Sequence, residues 1–307
     1  MSKNEKSSES GKNIFENIVP TMGMSNLAKR NLKDKIFKWI FFGSIVFCLL
    51  FLIFLLIGLL ILGIKRITPI FLSRFPSRKI ERAGFLPAII GSLFLVLTIA
   101  GITIPVGVGS AIYLEQYSNR KSRFYNFLEV NISNLSGVPS IVYGLLGLAV
   151  FTRLQGIRGT VISGGITLSL MILPVIIVST REAIKAVPKI LIEAAYGLGM
   201  TKWQMIKAVI LPYSAPGIFT GVILALSRAL GESAPLLVVG AATLVTRLPR
   251  GIFSRYTAMP IQIYQWTSYP DHQFQELAAA GILVLLVFLL SANSIAIILR
   301  NKFQKAK

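Results

Sequence analysis

The sequence predicts an all-α integral membrane protein with six transmembrane helices. Two observations carry that prediction. Of 307 residues, 54% are hydrophobic and only 14% charged, whereas a soluble domain carries about 25% charged residues. The apolar residues are also gathered into long uncharged runs, and about 20 apolar residues suffice for a helix to cross the hydrocarbon core of a bilayer. Backbone groups in lipid must be satisfied within the segment, which leaves helices or a closed barrel, and runs this continuous lack the alternation of barrel strands.

Along the chain, residues 1–35 are expected to form a cytoplasmic, largely disordered tail, because Met1 to about Asn13 is rich in Ser, Lys, Glu and Gly without apolar periodicity. The first transmembrane helix falls in 36–66, around the uncharged run Trp39 to Ile64. That run is too long for a signal-peptide core and no small-residue cleavage site follows it. Cys48, the only cysteine, lies inside it, so no intramolecular disulfide can form. A membrane core is expected over 84–299. Its spans are Ala83 to Leu114, Asn131 to Thr152, Gly159 to Thr180, Ser214 to Gly240 with Arg228 and Glu232 inside it, and Leu277 to Leu299. Residues 300–307 form a short cytoplasmic C-terminal tail.

The chain carries 32 Lys and Arg against 12 Asp and Glu, a formal charge of +20. Membrane orientation explains much of this excess without nucleic acid. With both termini cytoplasmic, twenty basic residues fall on the inner side and eleven outside, as the positive-inside rule favours. The first external loop disagrees: Lys65, Arg66, Arg74, Arg78, Lys79 and Arg82 face one acid, Glu81. Such a loop either concentrates an anionic substrate or meets anionic lipid. In the last external loop, Arg247, Arg250, Arg255, Tyr256, Tyr264, Trp266 and Tyr269 suit an interfacial belt or the docking of an external protein. His272, the sole histidine, lacks companions for a metal site, and no cofactor is expected.

Between the fourth and fifth spans, residues 182–212 read as a helical hairpin. Pro188 suits a first helical turn. Ile190, Leu191, Ala194, Ala195 and Leu198 follow at helical spacing, and Gly199 is placed to end the helix in a left-handed conformation. Thr201 and Gln204 have capping-box spacing, so a second helix begins at Lys202 and runs to Leu211, where Pro212 discourages continuation. An amphipathic hairpin of this size can dock into a groove on a partner, with Glu193 at the rim. The pattern Glu193-Ala194-Ala195, then Gly199, then Val209-x-Leu211-Pro212 resembles the EAA signature of ABC importer permeases. The resemblance implies a type I importer permease fold in which this loop is the coupling helix that docks on a separate ATPase. Consistent with a separate motor, the chain has no G-x-x-x-x-G-K-[ST] phosphate loop.

In the fifth span, Arg228 and Glu232 lie four residues apart, so their side chains meet on one helix face. Ionised groups at this depth cost about 2.5 to 3.5 kcal/mol each on insertion scales and normally face a bundle interior or a water-filled path. Gly217, Gly221, Ala225, Ala229 and Ser233 form a small-residue stripe on which helices can approach closely. A guanidinium presents a planar fork of donors suited to phosphate or a related oxyanion. The alternative reading of the pair is a structural ion pair that pins packing without substrate contact. Gly137 and Pro139, followed by Ser140, loosen the start of the third span, either as a plain helix start or as a broken helix lining a cavity.

The segment Arg228-Ala-Leu-Gly-Glu-Ser-Ala-Pro-Leu-Leu237 is similar to the corresponding segment of PstA-type subunits of phosphate ABC importers, with Leu230 and Ser233 as conservative departures. Gly84-x-x-Pro87-Ala88-Ile89-x-Gly91-Ser92, Pro105-x-Gly107, Ile112-Tyr113-Leu114-Glu115 and Gly137 through Gly144 also resemble that family. The resemblance implies a multi-pass, non-catalytic permease of the cytoplasmic membrane that moves inorganic phosphate. Its implied partners are a second homologous permease subunit, two copies of an ATPase subunit and an external phosphate-binding protein. Another oxyanion such as molybdate or sulfate, or the sister phosphate permease, is the nearest alternative. An ion-coupled secondary transporter is disfavoured by the lack of visible internal repeats, and an intramembrane enzyme by the lack of paired carboxylates or a nucleophile with its base in the spans.

Overall fold

The computed structural model describes residues 24–153, 157–241, 245 and 247–305. The expected disordered stretch from Met1 to Asn13 lies outside them. The chain divides into two units, residues 1–58 and 59–307. Most of the long helix α1 (Met24–Gly63) falls in the first. It begins inside the tail expected to reach residue 35, because residues 24–35 contain neither Gly nor Pro and are rich in good helix formers. Most side chains of its apolar stretch are exposed and none in its most apolar window is buried, as lipid contact requires.

The second unit is built on α3 (Leu86–Ile112), α6 (Val161–Lys185) and α9 (Leu211–Gly231). α6 is the central helix and packs against both others. Leu95 and Ile99 of α3, Leu168, Ile172 and Ile176 of α6, and Val222, Ala225 and Ala229 of α9 form one buried cluster. The α9 surface meets α6 through its small residues. A Cβ on Gly217 would crowd the Ala183 side chain, and one on Gly221 would overlap the Ser179 hydroxyl. Gly221→Leu is therefore expected to destabilise the bundle by about 3 kcal/mol, the upper part of the range for overpacking, read as a loss of monodisperse protein on heating in detergent. Ser233 lies beyond α9, which ends at Gly231, and is the N-cap of the following helix.

Around this core lie α2 (Pro69–Ser73), α4 (Arg123–Ser136), α5 (Ser140–Gly147), α10 (Ala234–Val239), α11 (Met259–Thr267) and α12 (His272–Lys305). A second cluster joins Phe71, Phe85 and Trp266, with ring centroids 5.4 to 5.8 Å apart. Trp266 and Tyr256 are fully buried, so two members of the aromatic belt expected in the last external loop are core residues. Tyr264 and Tyr269 remain exposed. The sequence suggested an interface for these rings, but Trp266 of α11 turns inward against Phe71 and Phe85, and Tyr256, which precedes α11, is buried beside Gly164 of α6. Among the described residues, the one β-bridge, Thr160 with Arg255, is isolated.

Among the described residues, five helices are long and apolar enough to cross a membrane, and a sixth is made if the bent pair α4 and α5 is one span. The third span expected over Asn131 to Thr152 is thus not one straight helix. α4 starts earlier, at Arg123, and the chain turns through 105° before α5. Pro139 sets this break: its ring disfavours a helical conformation for Val138, and it serves as the α5 N-cap. The fifth span expected over Ser214 to Gly240 is also broken. Glu232 is extended, and Pro235 sits in the first turn of the separate helix α10.

Candidate functional site

The hairpin predicted over 182–212 starts from α7 (Lys189–Gly197), with Pro188 as its N-cap. Its C-terminus is a Schellman turn: the Met200 amide donates to the Ala195 carbonyl at 3.1 Å and the Gly199 amide to Tyr196 at 2.9 Å. That turn needs a left-handed residue, and Gly199 supplies it at φ 75°. Thr201 then caps α8 (Lys202–Met205) in a full capping box with Gln204. Here the structure departs from the expected helix end at Pro212. A π-helical segment, Ile206–Ile210, follows α8 and leads directly into α9. The wider turn of a π segment accommodates the missing Pro212 N–H and the bulk of its ring, so the helix continues past it.

The apolar residues of the hairpin do not share one face as the spacing implied. Ala195 is buried with Met205, Ile206 and Ile210 against Leu114 and Ile184. Ile190, Leu191, Leu198 and Trp203 project outward, Leu198 being 78% exposed. Glu193 and Ala194 lie on the same open surface. Lys202 is not free: its ammonium lies 4.8 Å from the centre of the Tyr117 ring. Leu211 is half-buried against the core, and Pro212 is exposed. The hairpin is therefore a small body anchored on one side and apolar on the other.

Beneath it sits an ionic cluster that the sequence pattern did not reveal. Arg181, one turn before the end of α6, has a side chain only 7% exposed. Its Nε donates to Glu115 at 2.7 Å, and its Nη2 donates to the Tyr125 hydroxyl at 2.6 Å and to Glu129 at 3.1 Å. Glu115, on the π segment Tyr113–Tyr117 that continues α3, also accepts from Arg120 at 2.6 Å. Arg181 is the first charge after the apolar run to Thr180, and that position was the only hint available. Its partners lie 52 to 66 residues away, beyond the reach of any periodicity.

The two helix breaks come together on the other side of the core. α5 packs against α10, so closely that a Cβ on Gly144 would crowd the Pro235 backbone. Gly137 caps the C-terminus of α4 and Ser140 opens α5. The Tyr143 hydroxyl bridges this break by donating to the Leu135 carbonyl at 2.7 Å, satisfying an acceptor at the end of α4. Arg228 stands in the last turn of α9, shortly before α10 begins at Ala234. Its Nε is 3.7 Å from the Glu232 Oε1, with side-chain exposures of 53% and 23%. The Arg228 and Glu232 side chains therefore meet across the end of α9 rather than within a continuous helix. Farther along α9, the Ser227 hydroxyl donates to Asn293 at 2.5 Å and Arg300 donates to the Thr220 hydroxyl at 3.0 Å, tying α9 to α12.

The family of binding-protein-dependent transport system inner membrane components matches residues 103–305. The phosphate transport system permease protein PstA of Yersinia pestis is 33% identical over 278 residues, which cover 88% of this chain and 90% of that protein. The probable ABC transporter permease protein YqgI of Bacillus subtilis (strain 168) is 33% identical over 218 residues, covering 70% and 72%. Among solved structures, a bacterial alginate ABC transporter in complex with an alginate pentasaccharide-bound periplasmic protein superposes at TM-score 0.64, with 16% identity, over 87% of this chain and 94% of its own. An inward-facing form of the MetNI methionine ABC transporter gives TM-score 0.55 at 17% identity over 71% and 93%. At such identities the structures speak for the fold, a type I importer permease. With that fold, a matching profile over most of the chain and PstA relatives along nearly its full length, the chain belongs to the binding-protein-dependent transport system inner membrane components, the multi-pass permease subunits of ABC importers.

Proposed function

We propose that this permease moves inorganic phosphate into the cell, drawing its energy from a separate ATPase bound at the hairpin. The observation that carries the substrate reading is Arg228, a permanently charged fork of donors set where two broken helices meet. Half-exposed on the single chain, it is free to exchange its loose contact with Glu232 for the oxygens of an anion. Broken helices lining a path are where transporters expose unpaired backbone groups to substrate, so Gly137, Pro139 and Ser140 belong to the same path. The similarity to phosphate permeases of several bacteria points to the same anion.

The partners that follow are a second homologous permease subunit, which completes the path, two ATPase subunits and an external phosphate-binding protein. Both termini and the hairpin face the cytoplasm, where ATP is available. Glu193, Ala194 and Ala195 with Gly199, Lys202, Leu211 and Pro212 form the ATPase contact and its frame. Gly217, Gly221, Ala225 and Ala229 hold α9 against α6. A competition assay tests the substrate: in vesicles holding all subunits, unlabelled phosphate is expected to suppress uptake of labelled phosphate while equal sulfate or molybdate leaves it unchanged. No ATP-dependent uptake of labelled phosphate, or suppression by sulfate or molybdate as strong as that by phosphate, would overturn the phosphate assignment.

A further inference from the structure

We propose that Arg181 is a positioning residue that joins the hairpin to the path-lining helices as one lever, a proposal that rests on the hairpin being the ATPase contact. The geometry is that of a joint. Arg181 stands on the last turns of α6, and α7 begins at Lys189. One guanidinium holds three elements: α6 itself, the continuation of α3 through Glu115, and α4 through Tyr125 and Glu129. α4 runs from there to the break before α5, and α5 packs on α10, which follows Glu232. A push on the hairpin at the base of α6 is thus passed to both α3 and α4.

Folding alone does not call for an ionic joint here. The same region already has a buried apolar cluster in Ala111, Leu114, Ile177, Ile184 and Ile206, and buried ion pairs can often be replaced by apolar residues without loss of stability. What the guanidinium adds is fixed register. Its planar fork binds Glu115 through Nε and the Tyr125 and Glu129 pair through Nη2, which a lysine ammonium cannot reproduce. The Glu115 carboxylate is itself divided, Oε1 to buried Arg181 and Oε2 to exposed Arg120.

The test uses the complete transporter in vesicles, with Cys48→Ser as background and spin labels at Gly197→Cys on the hairpin and Asn126→Cys on α4. Arg181→Lys keeps the charge and tests the fork; Tyr125→Phe removes one hydrogen bond and is expected to fold in any event. The expected result is a broadened label-to-label distance distribution for Arg181→Lys, with the ATPase still co-purifying. ATP hydrolysed per phosphate imported is expected to rise about tenfold, within the range of coupling energies between distant sites. Tyr125→Phe should show the same two changes to a smaller extent. An unchanged distance distribution and an unchanged ATP-to-phosphate ratio in Arg181→Lys would overturn the proposal. So would a loss of ATPase association in step with transport, which marks a merely structural role. Absence of ATP-driven uptake in the wild type counts against the hairpin reading instead, and the distance distribution then still decides the joint.

Discussion

Arg228→Ala is expected to reduce phosphate uptake by about a hundredfold while leaving the transporter assembled. Hydrogen bonds to charged groups contribute about 1.5 to 3 kcal/mol each, and about 1.4 kcal/mol corresponds to a factor of ten, so loss of a two-pronged contact reaches that size. The structural consequence is small by comparison. The Arg228 and Glu232 pair is loose, at 3.7 Å, and its guanidinium is more than half exposed, and such pairs contribute about 0 to 1 kcal/mol. The two roles left open by the sequence therefore separate experimentally. A path residue costs transport and not assembly, whereas a residue that only pins packing costs both together or neither. Initial rates of labelled phosphate uptake, normalised to co-purified ATPase, make the measurement. Arg228→Lys is expected to recover only part of the rate, because an ammonium keeps the charge but not the fork.

Leu198→Asp is expected to abolish ATPase association at working concentrations, weakening it by about a hundredfold. Leu198 is the most exposed apolar side chain of the hairpin, and it sits at the C-cap of α7 beside Ile190 and Leu191. Burying a leucine is worth about 1.5 to 3 kcal/mol, and placing a carboxylate in the same groove adds the cost of an unpaired buried charge. The substitution leaves the free permease intact, because Leu198 contacts water or a partner and not the core. Glu193→Lys, at the rim of the same surface, is expected to weaken association less, by about tenfold, through lost register and like-charge repulsion. Co-purification of ATPase with tagged permease reads both variants, and hydrolysis in the assembled complex should fall in parallel.

The hairpin was the most legible part of the sequence. Thr201 with Gln204, and Gly199 just before them, report purely local geometry, and local geometry is what spacing encodes. The apolar runs likewise located the spans, since lipid imposes the same requirement on every helix. What the runs could not show were interruptions that remain apolar. Val138 and Pro139 carry no charge to mark the turn between α4 and α5, and Pro235, which opens a new helix, is followed by a hydrophobic run that reads as a continuation of the span. Pro212 misled in the opposite sense, because the π segment before it absorbs its ring. The burial of Tyr256 and Trp266, and the gathering of Glu115, Tyr125 and Glu129 around Arg181, depend on contacts between distant segments. No periodicity records such contacts. The small residues Gly217, Gly221, Ala225 and Ala229 were visible as a pattern, but the partner helix, α6, was not.

In the proposed function, a membrane bundle without its own motor receives force through one helical hairpin. ATP-driven uptake of labelled phosphate into vesicles, compared with and without the ATPase subunit and with ATP offered on either side, tests it most directly. Uptake is predicted only when the ATPase is present and ATP is on the side that carries Leu198 and Glu193, as fixed by labelling those positions. Uptake by the permease unaided, or uptake driven by ATP on the face opposite the hairpin, would contradict it.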